Sequence, residues 1–381
     1  MNDMKQNFIN SKAEQFYGER YFKEYMAKPV GFDWRSFKNE ISPYYAKRGF
    51  KVSMVNAGYY SAKNGIVSDR YVSPDLYYMY VVPALNRMEF KKAYSDKSFY
   101  PVLFKGVRQP EIVVYYASGR YYDSCCKQIL FEDAVRLCED EAGRLIVKPS
   151  IETGEGVGVD CIDSTDTIAL VEALMSHAST PGFVVQRFIR QHSDLMRMNP
   201  TSLNTMRLYT YRRSSGTIVN LERQNLLRFG GSGAWKDNIA RGGGFCHVGL
   251  DGLLSPKVYT KDSLSPVPFE ERLGFPPFKV PSFERAINFV KRLHAWLPYF
   301  DSIGWDVAIT EDGEPCLVEF NVDANLHGAQ VIGGPMYGEY IDEIMERVKC
   351  VRKLKVECEV NVFNYGYDRF TQIGGPEYDV L

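Results

Sequence analysis

The sequence DSIGWDVAITEDGEPCLVEFN, residues 301–321, decides the fold. Two runs of alternating apolar residues flank the dipeptide Asp312-Gly313, and this pattern predicts a β-hairpin. If Asp312 and Gly313 form the turn, counting back along both strands places Asp306 opposite Glu319. Directly opposed residues of an antiparallel pair have Cβ atoms about 5 Å apart. The sequence therefore predicts two carboxylates that face each other on one side of the hairpin.

Such a pair of acids needs an explanation, because two like charges at this separation repel by about 3 kcal/mol at an effective dielectric constant of about 20. A cation between them, protonation of one, or rotation of one into solvent would relieve the repulsion. Asn321 shares a face with Glu319 and adds an amide oxygen. These three oxygen donors suit Mg²⁺ shared with substrate phosphates, so Asp306, Glu319 and Asn321 are candidate metal ligands. An ordinary surface hairpin is the alternative.

The length and composition limit the possible fold and partners of the protein. A chain of 381 residues is expected to fold as two or three lobes, and its net charge of −1 gives no sign of a nucleic-acid partner. The eight cysteines form no CxxC pair, which predicts reduced thiols in a cytoplasmic protein, and we expect the adjacent Cys125 and Cys126 to pack in the core. The five dispersed histidines argue against zinc. No apolar run is long enough to predict a signal peptide or a transmembrane helix.

Periodicity divides the chain into four parts: a helical region 1–95, a first lobe 96–182, a larger lobe 183–350, and a strand with a polar tail 351–381. Helices are predicted at 10–27, 33–47, 74–86, 131–141, 166–177, 283–297 and 336–350. A hairpin is predicted over 112–122, and further strands at 145–148, 183–190, 206–212 and 219–229.

A second motif, LIVKPSIETGEGVGV, spans residues 145–159. Lys148 ends an apolar strand and is followed by a loop that contains Gly154 and Gly156. An ammonium group and exposed backbone N–H groups can hold a phosphate from two sides. The loop matches neither the Walker A nor the GxGxxG pattern, and a surface turn would also explain it.

Other residues are candidates for adenine and anion binding. The strand VVQRFI, 184–189, could hold adenine through its backbone and Gln186, with Asp194 reaching a ribose; a plain sheet strand is the alternative. A buried arginine needs an anion, so Arg207 would meet either a ligand or a structural glutamate. Arg228 and Arg241 flank a glycine-rich loop and would bind phosphate or carboxylate, unless they are merely solvated.

The order of these pieces resembles the ATP-grasp superfamily and, more narrowly, its sugar-transfer-associated family. The resemblance covers about 96–350. It is carried by Asp96-Lys97 with the following Pro110, Val147-Lys148-Pro149 with its glycine loop, VVQRFI, Asn204-Thr205-Met206-Arg207, Asp237-Asn238 with Gly242-Gly243, and Asp306 with Glu319-Phe320-Asn321. Two departures stand out: the N-terminal part is helical where many relatives begin with a Rossmann-like domain, and position 304, where related ligases carry an arginine, is glycine.

The resemblance implies an α+β ATP-grasp fold, in which two α+β lobes sandwich ATP. It implies that Lys97 and Lys148 contact ATP and that the loop with Glu152, Gly154 and Gly156 closes over the nucleotide, while Gln186, Phe188 and Asp194 hold the nucleoside. By the same resemblance, Asp306, Glu319 and Asn321 hold one or two Mg²⁺. It further implies that Arg207, Arg228 or Arg241 offsets charge on the transferring phosphoryl group.

The implied chemistry is ligation of small-molecule carboxylate and amine (or thiol) substrates through an acyl phosphate, with ADP and phosphate as products. The family name alone extends this to an amino acid or amine joined to a carboxylated sugar in polysaccharide biosynthesis. Two alternatives stay open: a phosphotransferase on the same scaffold, and a non-catalytic nucleotide-binding partner of a glycosyltransferase system.

Overall fold

The structure is a computed structural model that describes residues 40–151, 158–234, 242–260 and 266–349, together with the backbone of two strands near the C-terminus. The helix expected at 10–27 and most of the one expected at 33–47 lie outside the described residues. Within the described ranges, no helix is long and apolar enough to cross a lipid bilayer.

Short helices dominate the described residues from 40 to 104. They are α1 Pro43–Ala46, α2 Met54–Asn64, α3 Pro74–Leu76, α4 Val82–Leu85, α5 Lys91–Ser95 and α6 Tyr100–Leu103. A π-helical turn at Tyr77–Val81 joins α3 to α4, which confirms the helical stretch predicted from Pro74. Pro83 lies in the first turn of α4. Many of the apolar side chains of these helices pack into the same core as the larger sheet.

The first sheet is antiparallel and has the strand order β3-β2-β1-β6-β4-β5 among the described strands. The strands are β1 Ile112–Ala117, β2 Arg120–Asp123, β3 Gln128–Ile129, β4 Arg144–Pro149, β5 Asp160–Asp163 and β6 Gly182–Arg187. Helices α7 Phe131–Glu139 and α8 Thr167–His177 pack against it and form a separate core, and the side chain of Asp166 caps α8 by accepting from the N–H of Ala169. Strand β6 begins at the expected lobe boundary but pairs with β1 and β4, so we place it in the first lobe.

The second sheet has the order β10-β9-β7-β13-β14, with β8 beside β7. Its strands are β7 Thr205–Arg212, β8 Ile218–Asn220, β9 Leu226–Phe229, β10 Gly244–His247, β13 Ser302–Ile309 and β14 Pro315–Asn321. Two small pairs complete the described strands: β11 Lys257–Val258 with β12 Val267–Pro268, and β15 Lys355–Asn361 with β16 Gly366–Ile373.

The prediction of a single strand at 219–229 is wrong. Asn220 and Asn225 exchange side-chain hydrogen bonds of 2.7 and 3.1 Å around the 3₁₀ turn Glu222–Gln224, which separates β8 from β9. The tail likewise contains two paired strands instead of the one expected.

The remaining described helices are α9 Ser193–Met196, α10 Phe269–Leu273, α11 Phe283–His294, α12 Leu326–Gly333 and α13 Ile341–Lys349. Helices α11 and α13 bury the apolar faces that their periodicity predicts. Ser282, which precedes α11, makes no capping hydrogen bond with its side chain; its hydroxyl donates to the carbonyl of Gly313 at 2.6 Å and so fastens the hairpin turn.

The β13–β14 hairpin confirms that Asp306 faces Glu319, although the turn differs from the expected one. Thr310 donates its N–H to the carbonyl of Glu314 at 2.9 Å, so three residues form the turn, with Gly313 in the left-handed region at a φ of 80°. This shifts the pairing by one residue. A bulge between Asp306 and Val307 shifts it back, and the two offsets cancel before the acidic pair is reached.

Candidate functional site

One face of the second sheet carries a lateral row of charged residues. Asp306 on β13 lies opposite both Glu319 on β14 and Arg207 on β7. Two residues before Arg207, Thr205 shares its face and lies opposite Arg228 on β9. The register of three strand pairs therefore brings together two acids and two arginines that lie far apart in the sequence.

The carboxylate of Asp306 is held by both arginines. Arg207 binds it in a bidentate fashion, with Nε 2.5 Å from Oδ1 and Nη2 2.9 Å from Oδ2. Arg228 places its Nη2 3.1 Å from Oδ1 and also donates to the hydroxyl of Thr205 at 2.7 Å. Burial alone would raise the pKa of Asp306, but the two guanidinium groups outweigh it and hold the pKa below its usual value. Asp306 is therefore a buried, ionised carboxylate.

Glu319 has a different partner. The ammonium of Lys97, which is only 5% exposed, lies 3.1 Å from its Oε1. The backbone N–H of Lys97 donates to the carbonyl of Ser150 at 2.8 Å, just beyond the end of β4. Lys97 thus connects the base of the glycine loop in the first lobe to the acidic hairpin in the second.

Lys148 lies near the end of β4, where the sequence predicts it. Burial lowers the pKa of its ammonium from 10.5 to about 8, and the nearby Lys97 adds to this effect, while Glu319, Cys316 and Asp306 oppose it. In the described part of the chain, Lys148 forms no ion pair within 4 Å. Its charge is therefore not compensated by a direct acidic partner.

The formal charges of the cluster do not cancel. The side chains of Arg207, Arg228, Lys97 and Lys148 contribute four positive charges when Lys148 is protonated, against two negative charges from Asp306 and Glu319. The Nδ2 atom of Asn321 is buried and has no hydrogen-bond partner among the described residues. A surplus of positive charge and an unsatisfied amide are features of a site that receives an anionic ligand.

The oxygen atoms of the cluster decide whether Mg²⁺ could bind there. No cluster of three or more His, Cys, Asp or Glu side chains suited to a metal occurs in the described ranges. The two acids and the amide oxygen of Asn321 nevertheless form a set of hard ligands, and Mg²⁺ commonly uses one or two carboxylates together with phosphates and water. Glu319 and Asn321 fit this requirement, whereas Asp306 already accepts three hydrogen bonds from arginines.

The residues expected around the nucleoside lie on two different elements. Gln186 is buried on β6 and shares its face with Lys148, because Lys148 pairs with Val184 two residues earlier. Its Nε2 lies 3.5 Å from the carbonyl of Pro110. Phe188 follows β6, and the guanidinium of Arg144 covers its ring at 4.0 Å from the centroid.

Asp194 is half-buried in the first turn of α9, where its Oδ2 lies 3.6 Å from Nδ1 of His192. Four other expected site residues, Glu152, Gly154, Gly156 and Arg241, lie outside the described residues. Thr205, which orients Arg228, was not predicted as a site residue. Strand alternation could have identified it, because Thr205 shares a face with Arg207.

Gly304 lies between Ala324 and the side chain of Arg207. A Cβ atom at position 304 would lie 2.5 Å from the Cβ of Ala324, which is too close, and 3.4 Å from Cδ of Arg207, which is an ordinary contact. Ala324 therefore excludes a side chain at this position. Arg207, one of the arginines expected to replace a charge at position 304, passes beside the glycine.

Two further groups of residues lie outside the charged cluster. Cys125 and Cys126 are both exposed, so their expected place in the core is wrong; they lie in the turn after β2, where Asp123 accepts hydrogen bonds from the surrounding backbone. His327 lies against the rings of Tyr59 and Tyr60, and burial, with a contribution from Lys63, lowers its pKa to about 4. It is therefore neutral at physiological pH.

A cavity of about 380 Å³ lies elsewhere on the second lobe, lined by residues that include Asn199, Phe229 and Arg272. Phe229 follows Arg228 on β9, so its side chain points to the opposite face of the sheet. The charged cluster is therefore separate from this cavity.

Comparison with known proteins gives a family match. The model for sugar-transfer associated ATP-grasp proteins matches residues 161–344, just under half of the chain. This range contains β6, Arg207, Arg228 and the whole hairpin. No curated protein matches the chain.

Several solved structures are similar at low identity. The D-Ala:D-Ser ligase VanG from Enterococcus faecalis shares 12% identity at a TM-score of 0.42, over 69% of this chain and 62% of that one. D-alanyl-alanine synthetase A from Vibrio cholerae shares 10% identity at 0.41, over 68% of this chain and 63% of that one. The biotin carboxylase domain of the Hydrogenobacter thermophilus 2-oxoglutarate carboxylase shares 10% identity at 0.40, over 67% and 45%. The chain spans less than two thirds of each of these proteins, and likenesses at such scores carry no weight for function.

Proposed function

We propose that the chain, which matches the model for sugar-transfer associated ATP-grasp proteins over residues 161–344, is a Mg·ATP-dependent carboxylate–amine ligase. The observation that supports this proposal is the positively charged cluster in which Lys97 links Ser150 of the first lobe to Glu319 of the second. A triphosphate carries the negative charge that this cluster lacks, and its lysines and arginines could each contact a different phosphate oxygen.

In the proposed reaction, a substrate carboxylate oxygen attacks the γ-phosphorus of ATP, and the bond to ADP breaks. The nitrogen of an amine then attacks the acyl carbon of the resulting acyl phosphate. Inorganic phosphate leaves, the amine loses a proton, and an amide forms. Arg207 and Arg228 would offset charge on the transferring phosphoryl group, and Lys148 would hold the phosphates of the nucleotide. Gln186, on the same face as Lys148, would bind adenine, with Phe188 beside it and Asp194 at the ribose.

Glu319 and Asn321 would hold Mg²⁺, which when bound offsets negative charge on the phosphate oxygens. The family resemblance alone is the basis for the roles proposed for Arg241 and for Glu152, Gly154 and Gly156 of the glycine loop. We extend the proposal to a carboxylated sugar as one substrate and to a cytoplasmic role in polysaccharide assembly; this extension rests on the words "sugar-transfer associated" in the family name alone.

The test is ATP turnover with a panel of carboxylates, including uronic acids, and hydroxylamine as the trapping amine. We expect ADP to form together with a hydroxamate, because hydroxylamine intercepts an acyl phosphate. Transfer of phosphate to a stable product without hydroxamate would contradict the ligase and support the alternative phosphotransferase. ATP binding without turnover on any substrate would support a non-catalytic nucleotide-binding role.

The lowered pKa of Lys148 predicts a pH dependence of nucleotide binding. A bound phosphate favours the charged ammonium, so binding raises a pKa that is about 8 in the free protein. Between the free and bound pKa values, ADP binding should therefore take up a proton, and affinity should fall as pH rises above about 8. Calorimetric titration in buffers of different ionisation enthalpy measures this uptake.

Lys148→Arg is the matched control for this titration, because arginine stays protonated throughout the range. It should keep the charge and lose the proton uptake. Equal uptake by the wild-type protein and by this variant would show that another group titrates.

A further inference from the structure

The carboxylate of Glu319 is assigned to a metal by the proposed function, and it is also the partner of a buried lysine. The ammonium of Lys97 lies 3.1 Å from Oε1 of Glu319. This ion pair joins the two lobes, because the N–H of Lys97 donates to the carbonyl of Ser150 at 2.8 Å. One carboxylate therefore serves two cations, a lysine of the chain and a divalent metal.

Lys97 is held in its position by the turn that carries it. The side chain of Asp96 caps this turn, Lys97–Phe99, by accepting hydrogen bonds from the N–H and the hydroxyl of Ser98 at 3.0 and 2.7 Å. The Lys97 side chain is almost completely buried. A buried ammonium that loses its carboxylate keeps the desolvation penalty without the compensating attraction. Lys97 therefore leaves Glu319 readily only when another anion replaces that carboxylate.

A metal on Glu319 would come close to this ammonium. Mg²⁺ binds carboxylate oxygens at about 2.1 Å. A metal on either oxygen of Glu319 would therefore lie nearer to the ammonium of Lys97 than the screening length of physiological salt, which is about 8 Å. The two cations repel each other at such a separation, and the repulsion does not depend on which oxygen the metal uses.

The charge of the surrounding cluster strengthens this conflict. The cluster carries more basic than acidic side chains, and a divalent metal on its own would add to that surplus. A nucleotide phosphate changes the balance, because its negative oxygens attract an ammonium and a divalent cation together. Mg²⁺ is commonly shared in this way between a carboxylate and substrate phosphates. With a phosphate present, the lysine and the metal no longer exclude each other.

We propose that Lys97 competes with the metal for Glu319, so that the protein binds metal weakly until a nucleotide phosphate is present. Lys97 is thus a regulatory residue of the site, which couples metal binding to nucleotide binding. This inference rests on the proposed function, because that function assigns the metal and the nucleotide to this cluster. By linkage, the coupling is reciprocal, and the metal also strengthens nucleotide binding.

The experiment compares the wild-type protein with Lys97→Met and uses Mn²⁺ as the metal probe. Electron paramagnetic resonance measures free and bound Mn²⁺ in the absence of nucleotide. We expect Lys97→Met to bind Mn²⁺ about tenfold more tightly than wild type, because Glu319 is released from its lysine. Equal or weaker binding by this variant would overturn the inference. Lys97→Gln, which is also uncharged, gives the same comparison if circular dichroism shows that Lys97→Met is unfolded.

Two further variants show whether the gain comes from Glu319. In the double variant Lys97→Met/Glu319→Gln, the tighter Mn²⁺ binding should disappear, because the released carboxylate is gone. Lys91→Met is the matched control, since Lys91 pairs with a neighbouring carboxylate, Asp323, at 2.6 Å. This control should bind Mn²⁺ within about twofold of wild type. A gain that survives in the double variant, or that Lys91→Met reproduces, would overturn the inference.

Saturating ADP provides the last arm of the experiment. With ADP bound, the Mn²⁺ affinities of wild type and Lys97→Met should differ by less than about threefold, because phosphate offsets the repulsion. A difference as large as that without nucleotide would overturn the proposed role of the phosphate. If the wild-type protein fails to bind ADP, the proposed function itself fails. The measurements without nucleotide are independent of that outcome and still decide whether Lys97 competes for Glu319.

Discussion

Glu319→Gln should abolish Mg²⁺-dependent ATP turnover, with kcat lower by about 100-fold or more, while the protein stays folded. The substitution removes one charge from the oxygen pair that the proposal assigns to the metal, and it removes the counter-charge of Lys97. The fold should survive, because the Glu319 side chain is 24% exposed and lies at the outer strand of the described sheet. Steady-state turnover and the circular dichroism spectrum measure the two effects.

Glu314→Gln is the control on the same hairpin. Glu314 pairs with Arg285 on the surface, and its loss should leave turnover unchanged. Activity that survives in Glu319→Gln would mean that the hairpin is not the metal site. An equal loss in both variants would point to damage of the hairpin as a whole.

Arg207→Met should destabilise the protein strongly. Removing one partner of a buried ion pair typically costs about 3–5 kcal/mol, because the other charge is left without compensation. We expect a value near the lower end, since Arg228 still contacts Asp306. Chemical denaturation, with the unfolding free energy extrapolated to water, measures the change.

The exposed pair between Arg285 and Glu314 gives the matched comparison. Arg285→Met should change the unfolding free energy by less than about 1 kcal/mol, because solvent screens a surface ion pair. A similarly small change for Arg207→Met would show that Asp306 is compensated in another way, and the description of a buried cluster would be wrong.

The sequence predicts the acidic hairpin well, because period-two alternation and an Asp-Gly turn are local signals. Even there, the agreement at Asp306 and Glu319 depends on two offsets that cancel, a three-residue turn and a bulge, and the bulge has no clear sequence signal. The same limit explains why the prediction of a single strand at 219–229 is wrong: two reciprocal side-chain hydrogen bonds between Asn220 and Asn225 interrupt an otherwise strand-like stretch.

The partners of the charged residues could not be predicted, because they come from distant parts of the chain. The sequence left open whether Arg207 meets a ligand or a structural glutamate, and the structure pairs it with Asp306 on the adjacent strand. Lys97 meets Glu319 more than 200 residues away. Local patterns identify which residues carry charge and which face they share, but only the order of the strands decides which charges meet.

The most direct test of the central claim is calorimetric binding of a non-hydrolysable ATP analogue in the presence of Mg²⁺, with wild-type protein and with Lys148→Met. The account predicts one nucleotide bound per chain by the wild type, and binding weakened by about tenfold or more in the variant, since a phosphate loses a charged partner. Equal binding by both proteins, or no binding by the wild type, would contradict the assignment of this cluster as a nucleotide site.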